Sequence, residues 1–200
     1  MSEASWRHVI DTELSAVFTA TKAAATQMAA QGDGGAIVSV VSATVVGAEG
    51  QSSHAAAKGG LLNSVYSWSE ELKPHGITVN AVRGYVRSTI TDPTWDLATF
   101  DLDADGTSSA VPTEPAVAGE LIAWIVSPKA RAVTGAFVGI DGPRVTVWPP
   151  PRVHDAEFFR SPGWTAEAIG EAVGPTIERR PPRPTVQQVM QGLIPGLSSS

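Results

Sequence analysis

Apolar residues return along the first thirty positions at steps of three and four. Ile10, Leu14, Val17, Thr21, Ala25 and Met28 share one side of a helical wheel without a proline among them, which predicts one long helix from Ser5 to about Ala30. The run Gln31-Gly32-Asp33-Gly34-Gly35 ends it, because glycine readily takes the conformation that closes a last helical turn. The period then changes. Ala36-Ile37-Val38-Ser39-Val40-Val41 is apolar on both alternating sets, as expected of a strand covered on both faces of a parallel sheet. After a loop from Ser42 to Gly50, a second helix is predicted from about Gln51 to Leu72, with Leu61, Val65, Trp68 and Leu72 as its stripe. Lys73-Pro74-His75-Gly76 breaks it, and Ile77 to Val82 is the next buried strand.

Residues 83–112 read as irregular, with Asp92-Pro93 and Asp103-Ala104-Asp105-Gly106 as turn signals. Thr113-Glu114-Pro115 opens a third helix carrying Val117, Leu121, Ile122, Trp124 and Ile125, and a last strand runs from Val133 to Asp141, ending at Gly142-Pro143. Alternation of helix and strand implies right-handed crossovers and an α/β fold built on a parallel sheet. From Trp148 the composition turns to Pro149-Pro150-Pro151 and later Arg179-Arg180-Pro181-Pro182-Arg183-Pro184. The expected organisation is therefore a domain over 1–147 and a Pro-rich tail over 148–200, the tail acting as a spacer with short helices near 165–173 and 185–193.

Composition narrows the function classes. The chain has 200 residues, 42% of them hydrophobic and 17% charged, enough for one packed domain. Its net charge is −6 and its basic residues form no run, which argues against nucleic acid as the main partner. There is no cysteine, so disulfides and thiolate chemistry are excluded. His8, His54, His75 and His154 lie too far apart for ligand spacing, so no metal site is expected. The longest apolar run, Ala36 to Ala48, is interrupted by Ser39, Ser42 and Thr44 and is too short to span a bilayer. No signal peptide is visible at the N-terminus, and a cytoplasmic location is the default expectation.

Chemistry concentrates at Gln51 to Gly60, where His54 and Lys58 are four apart on one helix face. Trp6 to Asp11, Gly35 to Val38, Gly50 to Gly60 and Gly76 to Val82 resemble, in order and spacing, the second half of the short-chain dehydrogenase/reductase family, and residues 133–142 resemble its last strand and closing glycine motif. Within the family the pattern is most similar to the hydroxyacyl-CoA dehydrogenase part of peroxisomal multifunctional enzyme type 2 and its bacterial relatives. The resemblance implies a Rossmann-like sheet lacking the N-terminal cofactor-binding half. It also implies an oxidoreductase moving hydride between NAD(P) and an alcohol or ketone, with a hydroxyacyl-CoA or steroid-like substrate.

In the family a tyrosine exchanges the substrate proton, a lysine four residues on supports it and holds the nicotinamide ribose, a serine orients the substrate oxygen, and an asparagine anchors a water relay. By that resemblance Lys58 keeps the lysine place and Ser42 the serine place, His54 stands where the tyrosine belongs, and Glu13 stands where the asparagine belongs. The loop from Ser42 to His54 is one residue shorter than the family pattern. His54 is either a substitute base or a polar residue at a helix start, and imidazole is the shorter ring, while a base must reach its proton within ~2.6–3.2 Å. Ser42 either orients substrate or caps a turn. Glu13 is either a surface residue or a partner for Lys58. Ser88 or Thr89 would bind the nicotinamide amide, with Gly84 replacing the family's leading proline.

The family's dinucleotide cradle is a strand, a Gly-rich turn and a helix N-terminus. Gly32, Gly34 and Gly35 follow a helix and precede a strand, the reverse order, so they do not supply it. The chain begins after that unit, and weak NAD(P) binding by the chain alone is expected. In the family the helices matching 5–30 and 51–72 form a subunit interface. A homo-oligomer, or a heteromer with a full-length dehydrogenase, is the expected state.

Overall fold

The computed structural model describes residues 1–84, 86, 114–141, 144–151 and 163–178. The irregular segment expected over 83–112 and the tail helix expected near 185–193 fall largely or wholly outside these residues, as do Ser88 and Thr89.

The long N-terminal helix forms, but in two α-helical parts, α1 (Glu3–Ile10) and α2 (Ala16–Gln31), joined through a π-helical turn at Asp11–Ser15. Ser2 caps its start, its hydroxyl accepting from the Ser5 amide at 3.1 Å. Gly32, at φ 78°, closes its end, its backbone N–H donating a hydrogen bond to the Met28 carbonyl. Strand β1 (Gly35–Val40) follows, then helix α3 (Ser52–Leu72), strand β2 (Ile77–Gly84), helix α4 (Pro115–Ile125) and strand β3 (Phe137–Asp141). β1 pairs with β2 and β2 with β3, both in parallel, as the helix–strand alternation requires.

Two features depart from the sequence expectation. The last parallel strand begins at Phe137 rather than Val133. Residues 133–136 still lie against β2, but Gly135 has φ 69°, which breaks the extended run, and Asn80 takes over: its amide donates to the Val133 carbonyl at 2.8 Å and its oxygen accepts from the Ala136 amide at 3.0 Å. A fourth strand, β4 (Arg144–Trp148), folds back antiparallel on β3 after Gly142-Pro143, giving the order β1-β2-β3-β4. The sheet thus runs through Trp148. In the region beyond it, α5 (Ala166–Glu178) occupies and outruns the helix expected near 165–173.

The sheet is covered on both faces, which is why its strands are apolar on both alternating sets. On one face Ile77, Val79, Ala81 and Phe137 pack against Leu61, Leu62 and Val65 of α3, with Leu14, Val17 and Met28 of the N-terminal helices at the margin. On the other, Val82, Val138 and Ile140 pack against Leu121 and Ile125 of α4. Fully burying each of these side chains contributes about 1.5–3 kcal/mol.

Candidate active site

Glu13, His54 and Lys58 are brought together at the carboxyl end of β1. His54 and Lys58 come from the first two turns of α3 and share one face of it. Glu13 comes from the π turn, a local widening of the helix that re-aims the side chains within it. The close approach of α3 is permitted by Gly60, where an added Cβ would lie 3.1 Å from a methyl carbon of Leu14, the residue next to Glu13.

The acid sits between the two bases. Glu13 Oε2 is 2.6 Å from His54 Nδ1 and 3.4 Å from Lys58 Nζ, with side-chain exposures of 30% for Glu13, 33% for His54 and 17% for Lys58. Oε2 itself is shielded from solvent, and the imidazole N–H is bent off the line to it, so the contact is a close approach of carboxylate and imidazole rather than an aligned hydrogen bond. Lys58 also donates to the Val40 carbonyl at 3.4 Å, which ties it to the end of β1. Glu13 is therefore more than a surface residue, and its nearer neighbour is His54, a pairing the sequence did not suggest.

Ser42 is placed differently. Its hydroxyl accepts from the Thr44 amide at 3.2 Å and caps the short 3₁₀ turn Ala43–Val46, which is the turn-capping role. Of the two tyrosines, Tyr85 lies outside the described residues. Tyr66 is on α3 about 18 Å along the axis from His54 at ~1.5 Å per residue, and burial pushes its phenol up, away from use as a base.

A second charged group lies at the ends of β2, β3 and β4 on the α3 face. Arg83 and Asp141 form a buried ion pair. Arg144 reaches the same Asp141 oxygen at 3.3 Å, and the Arg83 guanidinium lies 5.4 Å from the Trp148 ring centroid. Burial lowers the pKa of Arg83, and Asp141 opposes that shift. Arg83 crosses β3 at Gly139, where a Cβ would stand 2.9 Å from Nε. The sequence reading missed this group; the available signal was an arginine and an aspartate at the carboxyl ends of mostly apolar strands.

The family model described as enoyl-(acyl carrier protein) reductase matches residues 1–142. The chain belongs to the short-chain dehydrogenase/reductase family. It is 35% identical over 155 residues to the 3-oxoacyl-(acyl-carrier-protein) reductase FabG of Staphylococcus aureus, covering 71% of this chain and 58% of that protein. The chain thus spans somewhat more than half the length of this curated relative. Among solved structures, a short chain dehydrogenase from Mycobacterium avium superposes with a TM-score of 0.72 at 25% identity, covering 92% of this chain and 61% of that one. The acetoin dehydrogenase of Salmonella typhimurium superposes with a TM-score of 0.58 at 28% identity, covering 71% and 56%. In this family setting the four-stranded unit is a partial Rossmann-like sheet.

The described residues fit one end of a nicotinamide dinucleotide and not the other. Lys58 Nζ lies at the carboxyl end of a parallel strand, the end of an open α/β sheet at which ligands bind. The glycines do not form a phosphate cradle: Gly34 packs at the amino ends of the strands, where an added Cβ would stand 2.5 Å from the Gly76 carbonyl oxygen. Among the described residues there is no cluster of three His, Asp or Glu side chains that would hold a metal ion, and no helix long and apolar enough to cross a membrane.

Proposed function

We propose that this chain is an alcohol or ketone oxidoreductase unit of the short-chain dehydrogenase/reductase type with an altered proton-transfer site. The carrying observation is that His54 and Lys58, one turn apart on α3, both lie against Glu13; by resemblance to the family, His54 stands in the tyrosine place. NAD(P), when bound, supplies the hydride chemistry. His54 handles the substrate proton, Lys58 holds the ribose end, and Ser88 or Thr89 meets the nicotinamide amide. The substrate class carried by the subgroup resemblance is a hydroxyacyl thioester or a steroid-like hydroxy compound.

Among the described residues no G-x-G-x-x-G turn links a strand to a helix N-terminus, which makes weak dinucleotide binding the expected outcome for this chain. Fluorescence titration with NADH and NADPH tests this, and micromolar binding would overturn it. Restoring the ring with His54→Tyr is not expected to yield turnover, because the cofactor would still be poorly held. Hydride transfer by that variant with any secondary alcohol would show that the ring, not the cradle, is the decisive loss.

A second reading is a non-catalytic subunit that pairs with a full-length dehydrogenase. It is favoured by β1, which has a strand on one side only among the described residues and leaves Val40 57% exposed at its end. Self-association through α2 and α3 is the companion proposal, supported by a groove of about 320 Å³ between them lined by Phe18, Ala25 and Trp68. Light scattering that finds a stable monomer at micromolar concentration would sink the homo-oligomer.

A further inference from the structure

We propose that Glu13 is a positioning residue that sets the tautomer of His54, keeping the proton on Nδ1 and leaving Nε2 as the exposed nitrogen that accepts a proton from a bound hydroxyl. Two atoms that both present lone pairs repel at 2.6 Å, so the approach of Oε2 to Nδ1 favours the tautomer that carries its proton on Nδ1, even though that N–H is not aligned with the oxygen. The oxygen is shielded from solvent and its other neighbour is the Lys58 ammonium, so water cannot replace the imidazole as its partner. Turning the carboxylate away would also separate it from the Lys58 ammonium, 3.4 Å from the same oxygen.

The arrangement is a carboxylate–imidazole unit of the kind that orients a base and stabilises the imidazolium once it forms. The proton balance is simple. The hydroxyl proton of the ligand passes to Nε2, the Nδ1 proton stays against Glu13, and the resulting imidazolium faces the carboxylate. Lys58, one turn along and 3.4 Å from the same oxygen, sets how much of that negative charge His54 receives. A carboxylate in the place where the family has an amide thus compensates for an imidazole in the place where the family has a phenol. The inference rests on the reading of this site as one that handles a proton, and it does not depend on which dinucleotide is used.

The test is a long-range proton–nitrogen correlation spectrum of the histidine side chains in the full ¹⁵N-labelled chain, recorded at rising pH until the signals stop moving. His54→Gln assigns the signals. The expected result is a protonated Nδ1 and a bare Nε2 in the wild type, shifting to a majority of the Nε2–H form in Glu13→Ala, with Glu13→Asp retaining part of the wild-type pattern. A wild-type spectrum showing Nε2–H overturns the inference outright, even if Glu13→Ala fails to fold. So does a folded Glu13→Ala chain with an unchanged tautomer. Correct tautomers without hydride transfer in a reconstituted assay would leave this inference standing and count against the redox reading, and hydride transfer with the wrong tautomer would do the reverse.

Discussion

Asp141 and Glu13 each face two basic side chains, and they do so on the same side of the sheet with different consequences. Asp141 has none of its side chain exposed and Arg83 has 3%, whereas Glu13 has 30% and His54 has 33%. In the first group the bases are guanidinium ions, which do not release a proton at any ordinary pH. The acid is held by β3, and Arg83 also lies over Trp148, so burial is offset by several contacts at once. In the second group one base is an imidazole, which can gain or lose a proton near neutral pH, and a third of it meets solvent. Like arrangements of acid and base therefore form a clamp between strands in one place and, on the proposed reading, a site for proton exchange in the other. Burial and the identity of the base decide which.

The largest expected effect comes from breaking the clamp. Asp141→Ala leaves Arg83 buried without its carboxylate and is expected to cost about 3–5 kcal/mol in urea unfolding. The paired change Arg83→Met with Asp141→Leu is expected to recover most of that loss, since the penalty belongs to a buried guanidinium that has lost the Asp141 carboxylate. If the single change costs under about 1 kcal/mol, the clamp is not a buried pair and the comparison fails.

Next is Gly139→Ala, which places a Cβ 2.5 Å from Thr146 Oγ1 and 2.9 Å from Arg83 Nε. Overpacking of this kind costs about 1–3 kcal/mol, read as a lower urea midpoint at unchanged slope. An unaffected midpoint would mean that Arg83 does not cross β3 at this residue.

Smaller still is Glu13→Ala, expected to change stability by no more than about 1 kcal/mol because its partners are part-exposed and screened by water. A loss equal to that of Asp141→Ala would erase the distinction between the two groups. The smallest effect is ionic. Raising sodium chloride toward 1 M, where the screening length falls to ~3 Å, should shrink the Glu13→Ala difference while leaving the Asp141→Ala difference nearly unchanged. Equal salt sensitivity in the two variants would count against their different burial.

Much of this was legible in the chain alone, for a reason that has limits. The helices and three parallel strands follow from local periodicity and from Gly32 and Gly76 at positive φ, all settled within a few residues. Strand β4 is absent from the sequence reading, which ends the last strand at Asp141 and opens the tail at Trp148, although Arg144 to Trp148 alternates as a half-buried edge strand should.

For the site, the sequence determined that His54 and Lys58 share a helix face, since a four-residue step does so on any α-helix. Only the tertiary structure decided that Glu13 meets His54. That contact needs a π turn that periodicity does not reveal, and two helices crossing close at Gly60 and Leu14. It likewise decided that Ser42 spends its hydroxyl on the Thr44 amide. Backbone form is set by neighbours along the chain, but whether an acid touches a particular base is set by how separate elements pack, and no spacing within either element contains that distance.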